Sequence, residues 1–356
     1  MGKKRVEWVD TMKCLCMIAV LTEHVEFVPP VWDRLVEPFF LNMFSFAAGY
    51  VYFHRRGFRA FFVKKLRQLW VPWLFFSVLT ISMAHVLSFH AHERLIVELG
   101  RNMLQIMYYG SEMWYVAALF VAFLPFYFFI DAYERSPLSP SKKAARLTLV
   151  SFALCMAGYA LSQFGPRDLF PWSRPELPLT LPWHLEYMFQ AMFFMVLGYL
   201  FRLRWEPCFD RVDGPLLCLG LWAAYLVLIF AFPPTGSLSP AGRLLLYAPR
   251  ALCGGAAVIS LSKRLRPNAY TRFVGGNTLS YYGLHGKAES LVQAVLQRIN
   301  EPEYLELVWG DHPEALLYAL AEALLVSVLL IPAVWLINRF LPFAVGRRRK
   351  QRAEVS

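Results

Sequence analysis

The side chains best suited to chemistry are ionisable groups within an apolar stretch, 9–27, near the N-terminus. This stretch contains Asp10, Lys13, Glu23 and His24. A charge inside a membrane costs at least ~2.5 kcal/mol, so such residues are functional candidates by default. Lys13 and His24 are 11 residues apart. On an α-helix this spacing places them on one face, roughly 16 Å apart along the axis.

The same residues also have a plainer interpretation. Asp10 and Lys13 are three residues apart, a spacing that allows an ion pair at the membrane interface, with Lys13 extending towards water. His24 can be a hydrogen-bonded structural histidine. The spacing alone does not separate these readings.

Further polar residues near the ends of later apolar stretches favour the functional reading. We expect them to surround, with Glu23 and His24, one outward-facing cavity. His285 and Glu289 share a helix face, and a nearby carboxylate would raise the basicity of the imidazole or fix its tautomer. The other members of this set are Glu37, Glu112, Trp114, His184, Glu186, Gln190 and Glu322.

No pattern of metal ligands is evident. His90 and His92 alternate beside Glu93, but a third ligand at a suitable spacing is missing. No phosphate-binding glycine loop and no nucleophile-elbow motif is present. We therefore predict no metal and no tightly bound cofactor.

These side chains need a scaffold, and the composition indicates a membrane protein. Of the 356 residues, 57% are hydrophobic and 17% are charged, whereas soluble domains are roughly 45–50% apolar and about 25% charged. Apolar runs long enough to cross a bilayer recur along the chain, which predicts an all-α polytopic membrane protein and excludes disorder or a disulfide scaffold. No repeat of fixed period is visible. The ten predicted spans are 9–27, 36–54, 69–90, 112–130, 146–164, 184–201, 214–232, 244–261, 273–296 and 315–338.

The distribution of Lys and Arg predicts the orientation. Loops on the side of the N-terminus carry 26 of these residues, and the opposite loops carry 7. Basic loops face the cytoplasm, so both termini are expected there. Residues 1–345 would form the membrane domain and 346–356 a basic cytoplasmic tail. The basic cytoplasmic loops account for the net charge of +11, so no nucleic-acid partner is expected. The sequence does not indicate the oligomeric state.

The first stretch resembles the opening helix of the membrane acyltransferase-3 family, in which a basic residue, ten further residues and a His follow one another. Lys13 stands where Arg is usual, a feature of the branch of fucose 4-O-acetylase-like proteins. Glu23 replaces a common Gly and Ala48 a common Ser. Other stretches resemble later family motifs in the same order, namely Phe39–Tyr50, Phe62–Trp73, Trp114–Tyr115 and Asn277–His285.

The resemblance implies an O-acyltransferase in a cell inner membrane that moves an acyl group, often acetyl, from cytoplasmic acyl-CoA to a hydroxyl of an extracytoplasmic sugar or glycan. His24 would be the general base, with direct transfer preferred over an acyl-histidine. Lys13 and Glu23 join His24 as candidate catalytic residues. The residues expected to bind the CoA phosphates are Lys13, Lys64, Lys65 and Arg67, and those expected in the acceptor pocket are Trp114, His285 and Glu289.

Two other functions stay open at this point. Intramembrane Lys, Glu and His are equally expected in a secondary transporter of a small polar or anionic solute. A non-catalytic partner in a glycan-assembly complex is also compatible with the sequence. Acyl-CoA turnover by the pure protein would separate all three.

Overall fold

The computed structural model describes residues 5–55, 57–87, 95–107, 112–166, 178–299, 301–309, 312 and 314–347. Its regular structure is helical throughout, which confirms the all-α prediction. The α-helices are α1 Glu7–Glu23, α2 Pro30–Val36, α3 Phe40–Tyr50, α4 Phe58–Lys65, α5 Val71–Leu87, α6 Leu95–Leu104, α7 Trp114–Arg135, α8 Pro140–Phe164, α9 Leu185–Leu200, α10 Glu206–Val212, α11 Pro215–Phe230, α12 Pro240–Arg264, α13 Ala269–Gly276, α14 Thr278–Ile299, α15 Glu301–Trp309 and α16 Ala315–Phe340.

Six stretches within the described ranges are long and apolar enough to cross a membrane. Each overlaps one of the ten predicted spans. Their outward faces are apolar, as on α11, where Leu216 is 84% exposed, and this suits contact with lipid. The six stretches are Phe58–Val86, Trp114–Arg135, Pro140–Phe164, Pro215–Ser237, Pro240–Arg264 and Ala315–Phe340.

The other four predicted spans correspond to α1, α3, α9 and α14. The first three are shorter than the six stretches, and α14 carries His285, Lys287 and Glu289. Three of them are also largely buried against other helices. Protein contacts replace lipid around these helices, so the total of ten spans stays a prediction.

Two helices begin earlier than hydropathy predicts. Pro140 opens α8 and Pro240 opens α12, whereas the predicted spans begin at 146 and 244. Proline suits the first turn of a helix because the N–H group that it lacks would have no acceptor within the helix at that position. Before α12, Ser239 also caps the helix by accepting a hydrogen bond from the Gly242 N–H at 3.2 Å.

A close crossing of α3 and α9 forms one side of the core. A Cβ at Gly49 would lie 1.9 Å from the Met195 carbonyl oxygen, and one at Gly198 would lie 2.0 Å from that of Phe46. Only glycine permits this approach. The two helices run in the same direction, because Asn42 contacts Tyr187 at one end of the crossing and Tyr50 contacts Phe201 at the other.

The crossing joins two similar segments, Glu37–Tyr50 and Glu186–Tyr199. Aligned without gaps, they are identical at 6 of 14 positions, including the Gly-Tyr pair that ends each segment. Phe46 and Met195, whose carbonyls meet the opposite glycine, occupy equivalent positions. Because the pattern occurs only twice, it does not appear in the sequence as a repeat of fixed period.

The segment α1 lies at the centre of the helical assembly. It packs against α3, α12, α13, α14 and α16, and Met12, Met17 and Leu21 on it are fully buried. Lys13 and Glu23 therefore lie on a helix with neighbours on several sides.

Two sequence-based interpretations concern residues that lie partly or wholly outside the described ranges. His90, His92 and Glu93 all lie outside. Of the tail 346–356, only Gly346 and Arg347 are described. Among the described residues, no group of three or more His, Cys, Asp or Glu side chains is arranged to hold a metal ion.

Candidate active site

The two ends of α1 present its functional residues in different ways. Lys13 Nζ forms an ion pair with Asp10 at 3.1 Å, which confirms the pairing that their spacing allows. Asp10 is buried and also pairs with Arg5. His24 lies one residue beyond the end of the helix, where its N–H bonds the Leu21 carbonyl at 3.2 Å and its side chain is exposed.

His24 opens onto a cavity of about 450 Å³, here called the His24 cavity. Glu23, Glu37, Trp114 and Gln190 line it as well, so the structure brings together much of the predicted polar set. An adjoining cavity of about 530 Å³ shares Glu37, Trp114 and Gln190 and adds His184 and Glu186. Glu37, Trp114 and Gln190 therefore line both cavities, whereas His184 and Glu186 line only the adjoining one.

His285 and Glu289 are not among the residues that line the His24 cavity. The His285 ring is stacked on His24, with centroids 4.8 Å apart, and its Nδ1 lies 2.6 Å from the Tyr282 carbonyl oxygen. No hydrogen bond joins it to Glu289 within the described part of the chain. Oε1 of Glu289 is buried without a hydrogen-bond partner there.

A second cavity, of about 210 Å³ and mainly apolar, lies between Lys13 and the His24 cavity. We call it the apolar cavity. Its walls come from α1, α3, α7 and α14, and include Met17, Phe44 and Leu119. Val20, Leu41 and Tyr282 line both cavities and so form the neck between them.

Lys13 also lines a third cavity, of about 690 Å³, here called the basic cavity. Arg5, Arg272 and Arg347 surround it, together with Asp10. Arg272 pairs with Glu7 at 2.8 Å, and Arg347 donates to the Asn277 side chain at 3.0 Å. Three cavities thus follow one another along α1, from a basic end to His24.

The expected phosphate-binding group of Lys64, Lys65 and Arg67 does not line any of these three cavities. Lys64 is exposed, and Lys65 Nζ lies 3.3 Å from the centre of the Phe123 ring, a cation–π contact on α7. Sequence reasoning missed Arg5, Arg272 and Arg347 because only the packing of distant segments brings them together.

Two further arginines, Arg243 and Arg250 on α12, line the His24 cavity. Each guanidinium donates hydrogen bonds to three neutral oxygens. Neither forms an ion pair with a carboxylate of the described residues, although Glu37 lines the same cavity. Tyr159 and Tyr247, stacked 4.3 Å apart, add an aromatic wall, so the cavity has hydrogen-bonding groups beside flat apolar faces, which suits a sugar-like ligand.

Two carboxyls outside the membrane-spanning helices have raised pKa values. Burial raises the pKa of Asp33 on the short helix α2. Burial also raises the pKa of Glu112, and the positive charge of Lys287 opposes this shift. The backbone carbonyl of Glu112 accepts hydrogen bonds from Trp73 and Gln105, which fixes the chain just before α7.

The fold and the site together define a multi-pass helical membrane protein with a histidine at the end of a row of cavities. The family model described as an acyltransferase domain matches residues 6–339. The chain belongs to the acyltransferase-3 family and is a membrane acyltransferase. The search of curated proteins and the search of solved structures each found no match.

Proposed function

We propose that this protein transfers an acyl group, acetyl in the first instance, from acyl-CoA to a hydroxyl of a sugar or glycan, with His24 as general base. The observation that supports the proposal is the row of cavities along α1. Lys13 lines the first two cavities, the neck residues line the last two, and His24 faces the last. Two chemically different substrates would then enter from opposite ends.

The basic cavity suits the phosphates of CoA. Four cations, Arg5, Lys13, Arg272 and Arg347, surround it, and several Lys and Arg donors bind phosphate through charge-assisted hydrogen bonds. We assign the phosphates to these residues, in place of Lys64, Lys65 and Arg67. Because basic loops face the cytoplasm, this end would be cytoplasmic, with the termini on the same side.

The apolar cavity would take the pantetheine arm and carry the thioester to the neck. The rise of an ideal helix gives a separation of roughly 16 Å for 11 residues, a distance that an extended pantetheine arm can span. At the neck, an acceptor hydroxyl from the His24 cavity would give its proton to His24 and attack the thioester carbonyl. The C–S bond then breaks, and the CoA thiolate takes the proton from His24.

The acceptor would lie in the His24 cavity. Trp114 offers an aromatic face on which a sugar ring can stack, and Glu23 would accept hydrogen bonds from its hydroxyls. His285 and Glu289 do not line this cavity, so the proposal gives neither residue a contact with the acceptor.

The proposal is tested with the purified full-length protein in liposomes, supplied with labelled acetyl-CoA and a panel of glycans. We expect acyl transfer together with release of free CoA thiol. His24→Ala should lower turnover at least ~100-fold, because general-base catalysis contributes 10²–10⁴-fold. The matched control is His85→Ala, a histidine on α5 that lines none of the three cavities.

Two results would contradict the proposal. Wild-type turnover in His24→Ala would remove His24 as the base. Movement of solute across the membrane without release of thiol by the wild-type protein would favour the transporter instead.

A further inference from the structure

Of the described residues that line the neck between the apolar and His24 cavities, one has a polar side chain. Val20, Leu41 and Tyr282 line both cavities, and only Tyr282 of these three carries a hydrogen-bonding side chain. An acyl thioester that reaches the acceptor must pass this phenol.

The hydroxyl of Tyr282 is set up to donate a hydrogen bond. Its oxygen accepts from the backbone N–H of Tyr115 at 3.4 Å. Tyr115 lies in the first turn of α7, where N–H groups lack intrahelical acceptors and carry partial positive charge. Among the described residues, nothing accepts the proton of the Tyr282 hydroxyl, so this proton is available to a ligand at the neck.

The ring of Tyr282 is also fixed relative to His24. It stacks on His285 with centroids 5.4 Å apart and planes 14° apart, and His285 stacks in turn on His24. The bond between His285 Nδ1 and the Tyr282 carbonyl ties these two residues together. The donor and the base are therefore positioned by one stack of three rings.

We propose that the Tyr282 hydroxyl binds the carbonyl oxygen of the acyl thioester and stabilises the negative charge that forms there. This inference rests on the proposed function. When the acceptor oxygen attacks, its proton moves to His24, and the electron pair of the C=O bond moves to the carbonyl oxygen. The electrons return as the C–S bond breaks, and the thiolate takes the proton from His24. Tyr282 keeps its own proton throughout.

Tyr282→Phe tests the assignment because it keeps the ring stack and removes only the hydroxyl. Loss of one donor to a developing oxyanion costs about 10²–10³-fold in kcat. We expect a loss of this size with KM for acetyl-CoA changed less than ~3-fold, since the contact is strongest in the transition state. Free CoA, which has no acyl carbonyl, should inhibit both proteins equally.

Tyr281→Phe is the matched control. Tyr281 is the neighbouring residue on α14, is fully buried, and donates its hydroxyl to the Ser327 carbonyl at 3.0 Å. Its loss should lower the thermal stability of the protein and leave kcat near the wild-type value.

The outcomes separate this inference from the proposed function. If the wild-type protein transfers acyl groups and Tyr282→Phe has the same kcat, Tyr282 is not the donor. An equal loss of kcat in folded Tyr281→Phe would also overturn the assignment, because the effect would then be a general one of losing a buried hydroxyl. A wild-type protein that turns over no acyl-CoA would overturn the proposed function itself.

Discussion

Replacement of Lys13 by Ala tests whether the basic cavity binds the phosphates of CoA. Lys13 is the cation that lines both the basic and the apolar cavity. Its removal does not leave Asp10 unpaired, because Arg5 also pairs with Asp10. The variant should therefore fold, and its defect should appear in donor binding.

The size of the defect follows from the lost contact. A hydrogen bond to a charged group contributes about 1.5–3 kcal/mol, which corresponds to roughly 10- to 150-fold in KM for acetyl-CoA. Lys13→Arg should recover much of this loss, because guanidinium also binds phosphate and can pair with Asp10. Lys64→Ala, at an exposed position outside the cavities, should change KM less than ~2-fold.

The assay compares acetyl-CoA with S-acetyl-pantetheine, which lacks the nucleotide and its phosphates. If Lys13 binds phosphate, Lys13→Ala should strongly raise the KM for acetyl-CoA and leave the KM for S-acetyl-pantetheine nearly unchanged. An equal loss with both donors would mean that Lys13 acts on the pantetheine arm or on the fold. A loss in Lys64→Ala as large as that in Lys13→Ala would restore the assignment made from the sequence.

Three further predictions follow from the same structure. Trp114→Ala should raise KM for the glycan acceptor ~3- to 10-fold, the value of one aromatic contact, and leave KM for acyl-CoA unchanged in steady-state assays. Gly198→Ala should lower the free energy of unfolding by about 1–3 kcal/mol in a denaturant titration, because the added Cβ would collide with the Phe46 carbonyl. Gly220→Ala is the control: its added Cβ has no neighbour within 4 Å, so the free energy of unfolding should not fall in the same way. Reporter fusions at residue 138 and at the C-terminus should report the cytoplasm and one near residue 170 the opposite side; a C-terminus on that opposite side would refute the assigned orientation.

Much of α1 could be predicted from the sequence because the residue pattern that indicates it lies within one short stretch of the chain. Helical spacing alone places Lys13 and His24 on one face and Asp10 beside Lys13. The six apolar stretches were predictable for the same reason, since length and hydropathy do not depend on tertiary contacts. The burial of α1 among other helices could not be predicted from the sequence, since the length and polarity of a span do not indicate whether lipid or other helices surround it.

The rest of the site depends on packing between distant segments. Lys64 and Lys65 are adjacent in the sequence and suggest a joint role, but at the end of α4 one is exposed and the other lies against Phe123. Arg272 and Arg347 look like ordinary loop charges, yet the contact of α1 with α13 and the end of α16 brings them beside Lys13. Charge count alone cannot distinguish these cases.

His285 shows the same limit and also what it implies for catalysis. Its spacing from Glu289 suggested an imidazole tuned by a carboxylate, but the structure stacks it between Tyr282 and His24. A ring in this position supports His24 from the side and does not line the His24 cavity. The ring stack and the hydrogen bond from the His24 N–H to the Leu21 carbonyl at the end of α1 hold His24 from two directions. Such fixed geometry favours direct transfer between two substrates held at a constant separation.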